Sequence, residues 1–164
     1  MADEIRVHTD DNELTLAEMS EALPDTPTIM TRVGECWWHF IYAARGGNWG
    51  LAEYYLKRVR KLENTLKVLR PKHAERLQRF QDVALPEVWK ALEAQDLTQL
   101  EAAFEAATEM ANQLHEESGY AYIRWELPDE PPKGLQLSPV TPFEVSGDGE
   151  GSPAEREALA KGEQ

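Results

Sequence analysis

With 164 residues, 41% of them hydrophobic, and a formal net charge of −13, the chain has the size and apolar content for one domain with a real core and no disulfide scaffold. Cys36 stands alone, which fits a reducing cytoplasm; Met1 to Ser20 has no basic start followed by an apolar run, so no secretion signal is expected, and no stretch of about 18 apolar residues offers a membrane span. The negative charge is carried by the ends: residues 1–25 hold eight acidic side chains against Arg6 and residues 126–164 hold nine against Lys133, Arg156 and Lys161, whereas residues 26–125 hold thirteen of each sign. Acidic ends repel nucleic acid and anionic membranes, while the body between them is neutral.

Residues 1–25 read as an acidic, partly disordered arm with scattered apolar residues (Ile5, Val7, Leu14, Leu16, Met19) and a solvated His8. Thr26 and Pro27 supply a cap and a first-turn proline for a first helix that runs to Arg45, where Gly46 and Gly47 stop it. Asn48 caps a second helix, ended near Leu69 by Pro71, which suits the first turn of a third. That third helix runs to about Ala94 and contains Pro86, whose missing N–H leaves the Asp82 carbonyl unbonded and predicts a kink. Asp96 with Gln99 resembles a capping box for a fourth helix, closed by Gly119. Residues 126–143 then read as a Pro-rich strap and residues 144–164 as a disordered acidic tail.

Apolar spacing gives each helix one face to bury. Leu56, Val59, Leu62 and Leu66 share a stripe on the second helix, as do Leu100, Phe104, Ala107, Ala111 and Leu114 on the fourth. Short turns make successive helices antiparallel neighbours, so the expected fold is all-α, an up-down-up-down antiparallel four-helix bundle over residues 26–125. The first helix carries a second aromatic face: Trp38 and Tyr42 point away from Trp37 and Phe40. They await either a cover, from the N-terminal arm or the Pro-rich exit, or a homodimer contact.

Nine basic residues between Lys57 and Arg79 face an acidic fourth helix in sequence, an arrangement of solvated, mutually attracting faces or of an anion-binding surface. No exposed aromatics interleave with residues 57–72, which makes nucleic acid an unlikely partner. Glu35 and His39, four apart, are too few ligands for a metal, and His73 reads as a residue at the end of the bundle. Glu63 is different, because it falls inside the apolar arc of its helix and must be paired, hydrogen-bonded or protonated there. An Arg or Tyr partner is one reading, and a ligand-binding or acid/base role is the other. His115, in the last turn of the fourth helix beside Phe104, Ala111 and Leu114, is its natural companion. Glu63, Phe104, Ala111 and His115 are therefore the candidate ligand-binding residues.

Three runs resemble a known class. The segments Asn48-Trp49-Gly50-Leu51-Ala52-Glu53-Tyr54 and Leu85-Pro86-Glu87-Val88-Trp89-Lys90-Ala91-Leu92, with Asn112-Gln113-Leu114-His115 before Tyr122-Ile123 and Pro131-Pro132, resemble bacterial four-helix-bundle proteins of the cytochrome c′ class. The likeness covers roughly residues 30 to 132. In haem-attaching members the last helix carries Cys-x-x-Cys-His, with the His as axial ligand. Here Ala111 and Leu114 stand at the cysteine positions while His115 keeps its place, so the resemblance implies the bundle and a pocket beside His115, without thioether attachment. A non-covalent haem would take His115 as one ligand, with Met30 available opposite.

Three functions stay open on sequence alone. The lead is a small-molecule-binding bundle with its site near Glu63 and His115, non-covalent haem being its most specific version. The second is a non-catalytic interaction or accessory subunit using Trp38, Tyr42 and the acidic ends. The third is a small enzyme with Glu63 and His115 as acid and base.

Overall fold

The computed structural model describes residues 5–140, and the expected tail at 144–164 lies outside the described residues. The described chain is mostly helical. Its elements are a hairpin of β1 (Arg6–His8) and β2 (Glu13–Thr15), then α1 (Leu16–Ala22), α2 (Thr26–Arg45), α3 (Trp49–Leu69), a 3-10 turn (Pro71–His73), α4 (Ala74–Val83), α5 (Leu85–Glu93) and α6 (Leu97–Glu117). No helix among the described residues is long and apolar enough to cross a membrane.

The arm before α2 holds more structure than its sequence pattern announces. β1 and β2 pair antiparallel with Val7 opposite Leu14 and His8 opposite Glu13. The Thr15 hydroxyl accepts from the Glu18 N–H at 3.2 Å while the Glu18 carboxylate accepts from the Thr15 N–H at 2.8 Å, a capping box that starts α1. None of the residues of α1 is buried, so this unit gives the core nothing.

Helix ends follow their cap chemistry. Asp25, one residue ahead of the expected Thr26, caps α2 by accepting from the Thr28 N–H at 2.9 Å, which puts Thr26 and Pro27 in the first turn. The Asn48 side-chain oxygen accepts from the Leu51 N–H at 3.1 Å, and that of Asp96 accepts from the Gln99 N–H at 3.0 Å. Gln99 turns its own amide back onto the other Asp96 oxygen at 2.8 Å, a side-chain variant of the expected box. The expected third helix is divided into the 3-10 turn, α4 and α5. Its main break is at Ala84, whose N–H still bonds the Phe80 carbonyl at 2.9 Å, two residues before Pro86, which has no N–H to donate.

The core lies between α2, α3, α5 and α6, with Phe40, Ile41, Leu56, Leu92 and Leu100 wholly buried. Trp37 stacks on Phe104 with ring centroids 4.8 Å apart and planes 15° from parallel. After α6 the chain runs back over α2. Asn112, 3% exposed, grips the Trp125 backbone twice, donating to its carbonyl at 3.0 Å and accepting from its N–H at 2.7 Å. Further on, Asn48 donates to the carbonyls of Gln136 (3.1 Å) and Ser138 (3.3 Å), and the backbone passes so close to Gly46 that a Cβ there would lie 2.3 Å from the Leu137 oxygen. Glycine at 46 is thus a requirement of close approach.

This return supplies a cover for Trp38 and Tyr42, the aromatic pair on the second face of α2. Tyr42 is 8% exposed and its hydroxyl donates to the Pro128 carbonyl, while Trp38 packs on Trp125 with centroids 6.2 Å apart. The cover is the Pro-rich exit, because α1 reaches no further than the hairpin it follows.

Candidate functional site

At the end of the helices away from the Gly46 turn, a cavity of about 360 Å³ opens between the start of α2, the end of α3, the start of α4 and the end of α6. That volume lies in the lower part of the ~300–1,000 Å³ range of ligand pockets. Five aromatic rings wall it: Trp37 and Trp38 from α2, Phe80 from α4, and Tyr120 and Trp125 from the returning chain. Gly34 lets the last of these in. A Cβ on residue 34 would stand 3.3 Å from the Trp125 ring and 3.5 Å from that of Trp38, so a methyl there would crowd the Trp125 indole and only touch that of Trp38.

Set into this wall is Glu63, 3% exposed, on the arc of α3 between Val59 and Leu66. Its carboxylate accepts from the Gln81 amide at 2.9 Å, and the Gln81 oxygen in turn accepts from Lys67 at 2.8 Å. The partner is therefore neither of the residue types expected from sequence: an amide on α4 relays the lysine's influence without bringing a charge into contact. Burial raises the Glu63 carboxyl to about 7, outweighing the Gln81 hydrogen bond and the fields of Lys67 and Arg60, which pull it down.

His115 reaches the same cavity from the last turn of α6. Its Nδ1 lies 3.1 Å from the Ile123 carbonyl, and a carbonyl can only accept, so Nδ1 carries the proton. In the neutral ring Nε2 is then the free lone pair, the nitrogen that a metal or a donor group would take. Burial holds the ring below the usual histidine range, opposed by that backbone bond. The ring stands edge-on to Trp125 at 5.5 Å. Glu63 and His115 do not bond to each other; their hydrogen bonds go to Gln81 and Ile123.

Two residues of the cavity were read differently from sequence, Trp38 as part of an aromatic face awaiting a cover or a dimer contact and His73 as a residue at the end of the bundle. Trp38 Nε1 and His73 Nε2 both line it, are buried, and find no hydrogen-bond partner in the protein. Burial, with Lys72 and Arg76 nearby, keeps His73 below its ordinary pKa. His73 owes its place to Pro71, whose 3-10 turn folds the start of α4 onto the end of α3. Leaving a donor or acceptor buried and unpaired costs on the order of 1–3 kcal/mol, and a bound polar group would recover it.

Of the four residues expected at the site, Glu63, Ala111 and His115 line the cavity and Phe104 does not. Phe104 lies one layer deeper, 3% exposed beneath Trp37, whose indole N–H donates to Thr108 at 2.8 Å. A stripe on one helix serves both the core and the cavity, and spacing alone does not divide them.

No known protein family, curated protein or solved structure matches this chain. The site is therefore read from its own chemistry. Among the described residues no group of three or more His, Cys, Asp or Glu side chains could hold a metal ion. Met30 and His115 both line the cavity, and Cys36 is buried away from it, raised in pKa by desolvation.

Proposed function

We propose that this protein is a small-molecule-binding up-down-up-down four-helix bundle, with α4 and α5 together forming the third helix and residues 126–140 as a strap along it. The ligand occupies the cavity between Glu63 and His115. Alternation of helix starts and helix ends around the cavity supports the bundle, since α2 and α4 bring their first turns to it and α3 and α6 their last.

One observation carries the binding reading: an aromatic-walled cavity into which Trp38 Nε1, His73 Nε2 and a nearly dry Glu63 are placed without full protein partners. A core that only had to pack would have filled the space or paired the groups. Non-covalent haem is the most specific form of the reading, and it draws on the free Nε2 of His115 and on Met30 in the same lining. When bound, haem would supply redox or gas-binding chemistry. The protein's share would be to orient His115 through Ile123 and to keep water from the apolar face. The modest volume favours a ligand smaller than the macrocycle.

The test is an absorption titration of the protein with haem, alongside mass spectrometry of whatever small molecule copurifies. Wild type should give a shifted Soret band or a bound ligand, and His115→Ala should lose the band or weaken the ligand at least about tenfold, a loss of ~1.4 kcal/mol. Its helical signal should be unchanged. Equal binding by both proteins would remove His115 from the site, and no binding by either would remove the function.

A further inference from the structure

Resting on the binding reading above, we infer that the cavity selects an organic ammonium, a protonated amine on a one- or two-ring apolar body, with its charge held by the Glu63 carboxylate among the Trp37, Trp38 and Trp125 indoles. Among the described residues Glu63 is the only acidic side chain in the lining, and its carboxylate is met by the neutral Gln81 amide. A carboxylate on an apolar wall is costly to ionise alone, and a cation arriving beside it is the partner that removes the cost. Indole faces attract the same cation through their negative quadrupole, tryptophan most strongly of the aromatic side chains.

The groups that face Glu63 from each packed element fit this choice. From α3 itself come Lys67 and Arg60, both acting at a distance, and from α4 comes the neutral amide of Gln81. His73 and His115 are both held below the ordinary histidine range by burial, so they are neutral above pH 7 and place no charge against an incoming cation. Among the described residues Arg76 is the one formal cation in the lining, and its guanidinium is turned toward the Glu117 carbonyl at 3.4 Å. Trp38 Nε1 adds a donor for an oxygen on the ligand. Below neutrality Glu63 holds a proton; as the ammonium docks, that proton leaves to solvent and the ion pair forms in its place.

Calorimetric titration of the full chain with phenethylamine, phenethyl alcohol and phenylpropionate compares a cation, a neutral body and an anion of nearly one shape. At a pH of about 8 the amine should bind at least about tenfold tighter than the alcohol, and its affinity should drop at least about tenfold at a pH of about 5.5. Glu63→Gln should abolish the preference for the amine over the alcohol; if that variant loses its helical signal, the two wild-type pH values decide alone. Alcohol or carboxylate binding as tightly as amine at the higher pH overturns the ammonium class while leaving a binding cavity. Absence of all three, with no haem uptake and no copurifying ligand, overturns the binding reading itself.

Discussion

The two ends of the helices use their polar groups in opposite ways. At the Gly46 end Asn48 both caps α3 and ties down residues 136–138, and Arg45 of α2 pairs with Glu101 of α6 at 2.8 Å. At the cavity end Trp38 Nε1 and His73 Nε2 are unpaired and Glu63 is satisfied by one amide. The core between them is continuous, so the contrast is one of purpose. A closed end stabilises, while an end with unspent hydrogen-bonding capacity and trapped apolar space can exchange its missing contacts for those of a ligand.

The comparison is most sharply tested by Phe104, which separates core from cavity. Phe104→Ala should cost about 3–5 kcal/mol of unfolding free energy, as large-to-small changes of buried rings do. It should affect ligand affinity only through loss of the folded population. Chemical denaturation at fixed pH measures the first, and affinity per folded molecule the second. A ligand effect that exceeds the folded fraction would place Phe104 back in the site.

Next in size is the pH dependence of the cavity end. Glu63 binds its proton more tightly in the folded chain than in the unfolded one, about 7 against 4.5. Folded protein therefore holds more protons across that window, and stability falls as pH rises through it, by on the order of 3 kcal/mol. His73 and His115 act in the opposite sense: their folded pKa values lie below 6.5, so their contribution is present above 6.5 and lost as pH falls toward the folded values. The difference between wild type and Glu63→Gln isolates the glutamate, and the variant should gain stability relative to wild type as pH is raised from 4.5 to 7. A constant difference between the two denaturation curves would show that Glu63 is not desolvated in solution.

The smallest effect is expected at the closed end. Gly46→Ala puts a methyl where the Leu137 carbonyl lies, an overpacking that typically costs about 1–3 kcal/mol. Residues 136–138 should lift away and lose amide-exchange protection, while the cavity and its ligand affinity stay as they are. Weaker ligand binding in this variant would mean that the two ends are coupled through the strap and the contrast between them is too sharp.

Much of this was legible in sequence where one residue type has one local use. Asn48 and Asp96 marked helix boundaries and Pro86 marked a bend, because caps and prolines act within a few residues of themselves. Glu63 and His115 stood out because a charge or an imidazole inside an apolar arc demands an explanation. What was not legible depends on contacts distant in the chain. Nothing in periodicity says that residues 125–128 lie over Trp38 and Tyr42, that a glutamine eighteen residues away would partner Glu63, or that Phe104 stacks behind Trp37. The hairpin escaped because three-residue strands carry too short an alternation to distinguish from a loop.

The double hydrogen bond between Asn112 and Trp125 has a kinetic corollary. Those residues are only 13 apart, whereas the bonds from Asn48 to Gln136 and Ser138 span 88 and 90 residues. Loop closure costs rise with the logarithm of length, so once α6 has formed, Trp125 meets Asn112 by a short local search. The 136–138 contacts must wait until α2 and α3 have come into place. Their order of loss is the reverse: the far end can open and reclose many times while Trp125 stays pinned. A cavity wall fastened to its own helix in this way keeps its shape through fluctuations that expose the rest of the returning chain.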